Sequence, residues 1–201
     1  MTTTWAIPKG VIRVPLPDTY QQEDFTCGVA SVKALSGYFG VGPRTEHECL
    51  LDMRVPRAGA DPEHIMRGFR TYGLDFMEYY PMSVGQLKAS VDRGRPVILM
   101  LQAWGTVGKG KTEHPRLNYE GWFEDGHWVV AIGYDAEGVY FEDPSILHAR
   151  GFLAFSELDV RWHDWGPNYE HMYYYGISVW QSERARRACR KSHTRRVMHI
   201  D

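Results

Sequence analysis

Apolar positions fall at helical spacing through the first half of the chain and in strand-like runs through the second. Val29, Val32, Leu35 and Phe39 predict a helix over 27–39, with Gly40 placed to stop it. Thr45 followed by Glu48 is a capping-box pattern that opens a short helix ending near Met53. Asp61 and Pro62 supply an N-cap and a first-turn proline for a third helix, with Ile65, Met66, Phe69 and Tyr72 on one face and Gly73 at its end. Ser83 with Gln86 begins a fourth, which Gly94 closes. Ahead of them, 1–20 reads as an extended lead-in in which Ile12, Val14 and Leu16 alternate before Pro17.

After residue 95 the period changes. Strands are predicted over 96–103 and 127–134, then over 139–141 beyond a turn at 135–138, and again over 151–155 and 172–179. Helices first and strands later is the pattern of an α+β domain with a mostly antiparallel sheet. Residues 104–126 have no clear period and are long for an inert connection, so a substrate wall is one reading and a surface excursion the other. The expected organisation is one domain over 1–180, helical over about 20–95 and sheet over about 96–180, followed by a basic tail at 181–201.

Composition narrows the class. With 201 residues, 43% of them hydrophobic and 24% charged, the chain can bury a core without staples, and wholesale disorder is excluded. Three cysteines, an odd number, argue against a disulfide framework and for a reducing compartment. The longest apolar runs, such as 97–101, are too short to span a bilayer, and no basic segment followed by an apolar one opens the chain. A cytoplasmic protein without a membrane partner is expected. Net charge is −2, but 183–201 carries seven Arg/Lys against two acids while the rest is acidic. That is not the balance of a dedicated nucleic-acid binder. Oligomeric state is not legible.

Cys27 opens the first helix, where unpaired amides and the positive dipole end favour thiolate over thiol. Taken alone it reads more readily as a small buried hydrophobe. Two other residues shift that balance. His127 begins one strand and Asp143 follows the next, so a hairpin would bring imidazole and carboxylate together, the carboxylate orienting the ring. Cys, His and Asp then form a nucleophile, a base and an orienter. Gln21, six residues before Cys27, is placed to donate to an oxyanion beside the Cys27 amide, with Gln22 as its rival. Gly28 would let a substrate backbone approach closely, and Trp104 and Trp128, on either side of the base, are expected to contact substrate. Cys49 is expected to pack on the inner face of its helix, the Cys189, His193 and His199 group forms no convincing zinc set, and no cofactor is called for.

Gln21, Cys27-Gly28, His127-Trp128-Val129-Val130 and Asp143-Pro144 resemble the papain-like cysteine peptidases of the C39 type, best known for cutting double-glycine leader peptides. The resemblance extends more loosely over about 12–162. It departs in having Thr26 before the nucleophile, an insertion at 104–126, and no transporter attached, so a stand-alone member is expected. The resemblance implies a papain-like fold, a helical subdomain carrying Cys27 and a sheet subdomain carrying His127 and Asp143. It also implies a peptidase or amidohydrolase working through a Cys27 acyl-enzyme, with peptide maturation as its setting. Two other fates remain open: transfer of the acyl group to an amine or thiol, and a peptide-binding module that does not turn over.

Overall fold

The helices begin where the sequence supplies caps. In the computed structural model, which describes residues 4–104, 119–181 and 196–200, the first strand β1 (Thr4–Ala6) and the lead-in precede α1 (Cys27–Tyr38). Thr45 and Glu48 satisfy each other's backbone at the start of α2 (Glu46–Met53), Asp61 and His64 do so for α3 (Pro62–Thr71), and Ser83 and Gln86 for α4 (Val84–Asp92). Gly40, Gly73 and Gly94 each take a positive φ past a helix end, where a side chain would be strained.

Between α3 and α4 lies β2 (Asp75–Tyr79), an edge strand that the sequence pattern does not announce because it is largely exposed. The buried strands follow as expected: β3 (Val97–Gln102), β4 (Gly126–Tyr134), β5 (Gly138–Glu142) and β6 (Arg150–Ala154). A short helix, α5 (Phe155–Arg161), comes next and is not predicted by the periodicity. The single strand expected over 172–179 is two. Tyr174 takes φ 55° and breaks the run, so β8 (His171–Tyr173) pairs with β7 (His163–Trp165) in a small separate ribbon, while β9 (Gly176–Trp180) joins the main sheet. Part of the segment read as a basic tail is also in the sheet. Arg196–His199 form β10, parallel to β6 and antiparallel to β1, with Val197 and Ile200 buried.

The main sheet runs β1-β10-β6-β5-β4-β3-β9-β2 and is antiparallel except at β10–β6. Helix α1 packs on β4, and its Val29, Val32 and Leu35 are fully buried with Val129, Val130 and Ile132. Burial of this kind contributes roughly 1.5–3 kcal/mol per large aliphatic side chain. Among the described residues, no helix is long and apolar enough to cross a membrane. Most of the 104–126 segment, and Cys189 and His193, lie outside the described residues.

Two features bring the lead-in to the sheet. The amides of Arg13 and Val14 both donate to the carbonyl of Ile132 at 3.0 Å, at a bulge where the β4–β5 register shifts. Gly133 permits this crossing, because a Cβ there would collide with the Val11 carbonyl and lie 2.9 Å from Ile12 Cα. Gly133→Ala is therefore expected to cost about 1–3 kcal/mol, read as a lower midpoint in urea; an unchanged midpoint would show that the lead-in moves freely. Farther along, buried Arg150 pairs with buried Glu142 and donates to the Leu16 carbonyl at 2.6 Å, while Glu142 accepts the Thr19 amide at 2.7 Å. At the other end of the sheet, Gly151 sits between Asp143 and Ile200: a Cβ there would be 3.3 Å from Asp143 Cβ and 2.8 Å from Ile200 Cδ1.

Candidate active site

The register of the central sheet explains why three distant residues meet. In the β4–β5 pairing Val130 stands opposite Glu142, so Asp143 emerges just past the end of β5, near the start of β4, where His127 lies. His127 Nε2 and Asp143 Oδ1 are 2.7 Å apart, and both side chains are fully buried. Ser145 holds the same carboxylate oxygen, its amide and hydroxyl donating to Oδ1 at 2.8 and 2.7 Å. The sequence reading missed Ser145, although an Asp-Pro-Ser turn carries the signal of a side chain capping its own backbone two residues on.

Burial alone would drive both groups neutral. It would push the imidazole pKa down, but the Asp143 charge and hydrogen bond, with a further contribution from Cys27, raise it instead. Burial would likewise raise the Asp143 carboxyl, and the His127 charge and the Ser145 donors hold it below its ordinary value. The pair is thus arranged as imidazolium and carboxylate. His127 Nδ1 is buried without a hydrogen-bond partner, and Cys27, at the first position of α1, is the interacting group left to that nitrogen.

Cys27 faces a cleft of about 620 Å³. Phe25, Pro56, Arg57, Ala60 and Asp61 line its helical side, Met100, Gly126 and Trp128 its base, and Phe123, Asp164, Trp165 and Tyr169 the opposite side. Trp128 is almost wholly buried and donates from Nε1 to the Ala60 carbonyl at 2.8 Å, tying the sheet to the loop before α3. Trp104 is 40% exposed and holds its ring 4.5 Å from that of His127, at φ 42°. It covers the imidazole.

Two expected residues make contacts that the reading did not name. Gly28 does not face open space: a Cβ there would lie 2.9 Å from Ala60 Cβ and 3.0 Å from Ile65 Cδ1 and Trp128 Cδ1. Its missing side chain serves close packing of α1 against Trp128. Gln21 is tied to the Asp143 turn through its amide, which donates to Pro144 O at 2.8 Å. Its side-chain Nε2 donates to the carbonyls of Glu23 and Asp24 at 2.8 and 3.3 Å. Gln22 is exposed, with its backbone amide held by buried Glu46 at 3.0 Å.

Cys49 is an ordinary core thiol. It is fully buried under α1, 3.6 Å from the Val29 carbonyl, and burial pushes it up to about 12. Among the described residues no group of three or more His, Cys, Asp or Glu is arranged to hold a metal ion. His199 pairs instead with Glu157 at 2.8 Å.

Comparison with known proteins bears on this arrangement. The pattern of the Peptidase_C39-like family matches residues 17–166, which contain Gln21, Cys27, His127 and Asp143. No curated protein sequence matches the chain. A solved C39-like peptidase from Bacillus anthracis is similar over 85% of this chain and 97% of its own, with TM-score 0.63 and 19% identity. A double-glycine motif protease from an AMS/PCAT transporter, in complex with its leader peptide, is similar over 89% and 97%, with TM-score 0.57 and 18% identity. The peptidase domain of Streptococcus ComA, a bifunctional ABC transporter of quorum sensing, is similar over 82% and 97%, with TM-score 0.56 and 14% identity. At these identities the likeness is one of fold, a helical part set against an antiparallel-dominated sheet.

Proposed function

The chain belongs to the Peptidase_C39-like family, and from that premise we propose that it is a cysteine peptidase cleaving a peptide amide through an acyl-enzyme on Cys27. The observation that carries the reading is the fully buried His127–Asp143 pair, with its second imidazole nitrogen unpartnered and a thiol beside the ring.

In this mechanism the Cys27 proton rests on His127 as the imidazolium, and the sulfur attacks the carbonyl carbon and forms the C–S bond. The carbonyl electrons move to oxygen, and donors must meet that charge. The Cys27 amide is one, since the first amides of a helix have no partner within it. Gln21 Nε2 is the other. It carries two hydrogens, and the 3.3 Å contact to Asp24 is the weaker and the one exchanged for the oxyanion. Collapse breaks the C–N bond, and the imidazolium passes its proton to the leaving amine. A water then loses a proton to His127, attacks the thioester and releases the acid, and the sulfur departs as a thiolate beside the restored imidazolium. Asp143 fixes the ring and its tautomer and stabilises its charge throughout. Trp104, over the ring, and Trp128, at the base, border the path of the substrate.

A peptide is the substrate class that fits. The cleft is open and lined by residues of both the helical and the sheet parts, and one protein of similar fold binds a leader peptide. Peptide maturation is the process such a use would serve.

Iodoacetamide labelling at each cysteine, followed by peptide mass spectrometry at pH 7, tests the reading. Cys27 is expected to label quickly and Cys49 not at all, because Cys49 is sealed in the core with its thiol pushed up to about 12. His127→Ala should slow Cys27 by at least about ten-fold. Equal rates with and without His127 would remove the imidazole as the base.

A further inference from the structure

Asp164 is a carboxylate that the mechanism above does not use. It stands on β7, faces the cleft that Cys27 faces, and lies directly over Gly126, where a Cβ would collide with its Oδ1 and Oδ2. Gly126 immediately precedes His127, so this second acid sits beside the reacting centre. Its Oδ1 accepts the Gln102 side-chain amide at 3.1 Å and the Trp165 backbone amide at 2.8 Å. Both donors are neutral. Among the described residues no Lys or Arg stands within 4.0 Å of it. The positive group that acts electrostatically on it is His127, which is already paired with Asp143.

The surroundings have the same sign. Asp24, Asp61 and Glu124 also line the cleft, and Arg57 is the single guanidinium or ammonium group among the described lining residues. Aromatic rings stand close by: Trp165 follows Asp164 and packs against Phe123 at 5.2 Å, and Tyr169 is 86% exposed at the rim. A poorly compensated carboxylate flanked by exposed ring faces matches a long cationic side chain, whose stem lies on the rings and whose head meets the acid.

Resting on the peptidase reading, we infer that Asp164 is the anchor for a Lys or Arg side chain of the substrate, adjacent to the bond that is cut. The charge state of the empty site fits this role. Burial pushes the Asp164 carboxyl up to about 6, against the Trp165 amide, the Gln102 amide and the His127 charge. An incoming guanidinium supplies the countercharge that burial withholds. Gln102 is then a positioning residue. Its amide carbonyl accepts the Asp125 amide at 3.1 Å while its Nε2 holds the acid, so β3, the 125–126 segment and β7 are locked together around the anchor.

The test has a binding arm and a cleavage arm. In the binding arm the Cys27→Ala protein is titrated with acetyl-Gly-Gly-Arg-Gly-Gly-amide and with its neutral citrulline counterpart. The arginine peptide should bind at least about ten-fold more tightly. Asp164→Asn in the same background, which keeps Oδ1 as the acceptor of the Gln102 and Trp165 amides, should abolish the difference. Equal binding of the two peptides, binding of neither, or a difference that survives Asp164→Asn overturns the inference. In the cleavage arm the unmodified protein digests a mixed peptide library, and the cut sites should carry Lys or Arg at one fixed position, with that preference lost in Asp164→Asn. Cutting without a basic preference overturns the anchor and leaves the peptidase reading intact. No cutting, together with Asp164-dependent binding, overturns the peptidase reading and leaves the anchor.

Discussion

Cys27→Ala lowers the hydrolysis of a peptide substrate by about 10⁴-fold or more, His127→Ala lowers it comparably, and the double variant is no slower than either. The three values should be alike because thiol and imidazole act as one unit: without the base the sulfur is a poor nucleophile, and without the sulfur the base has nothing to activate. The alanine at 27 replaces a small, nearly buried side chain at a helix start, so the fold should survive it. The His127 variant is the more disruptive, since Asp143 is left buried with only the Ser145 amide and hydroxyl as donors. For that reason the Cys27 variant decides. Should it keep more than a few per cent of the activity, the acyl-enzyme is excluded, and additive losses in the double variant would show that the two side chains do not act together.

The largest stability effect is expected away from the cleft. Arg150→Met should cost about 3–5 kcal/mol in denaturant unfolding, because it leaves the Glu142 carboxylate buried with the Thr19 amide as its remaining described donor. The double variant Glu142→Leu, Arg150→Met should recover much of that loss, since a buried ion pair owes little to its net energy and much to the cost of stranding one partner. If the double variant is as unstable as the single, the charges are not coupled and the loss comes from packing. The pair also joins β5 to the lead-in through Leu16 and Thr19, and Gln21 follows on that same lead-in. Activity should therefore fall further than the folded fraction does.

What could be read from the sequence was local or belonged to a recognisable spacing. The capping partners at Thr45/Glu48 and Ser83/Gln86 lie within one helical turn, and their hydrogen bonds are those the pattern implies. The meeting of His127 and Asp143 follows from a short hairpin. What escaped depends on contacts made across the fold. β2 is exposed on an edge and lacks alternation, α5 has no side-chain cap, and Tyr174 splits a continuous apolar run by its backbone angle alone. Asp164 and Gln102 are 62 residues apart in sequence and acquire meaning only when β3 and β7 come together. Gly28 was read as room for a substrate backbone, and in the fold its bare Cα lies against Ala60, Ile65 and Trp128, which are distant in sequence.

The place of β10 has a consequence in time. Among the described residues strand β1 pairs with β10 alone, and Ile200 closes over Gly151 beside Asp143. Residues 196–200 emerge from the ribosome after every other described part of the molecule. A nascent chain can therefore assemble Cys27, His127 and Asp143 and still leave one flank of the carboxylate wet, where water weakens its hold on the imidazole. The same contact joins residues some 190 positions apart, a pairing whose loop-closure entropy makes it a late event in folding. The sealing of this end of the sheet thus waits on the pairing of residues 196–200 with β6 and β1.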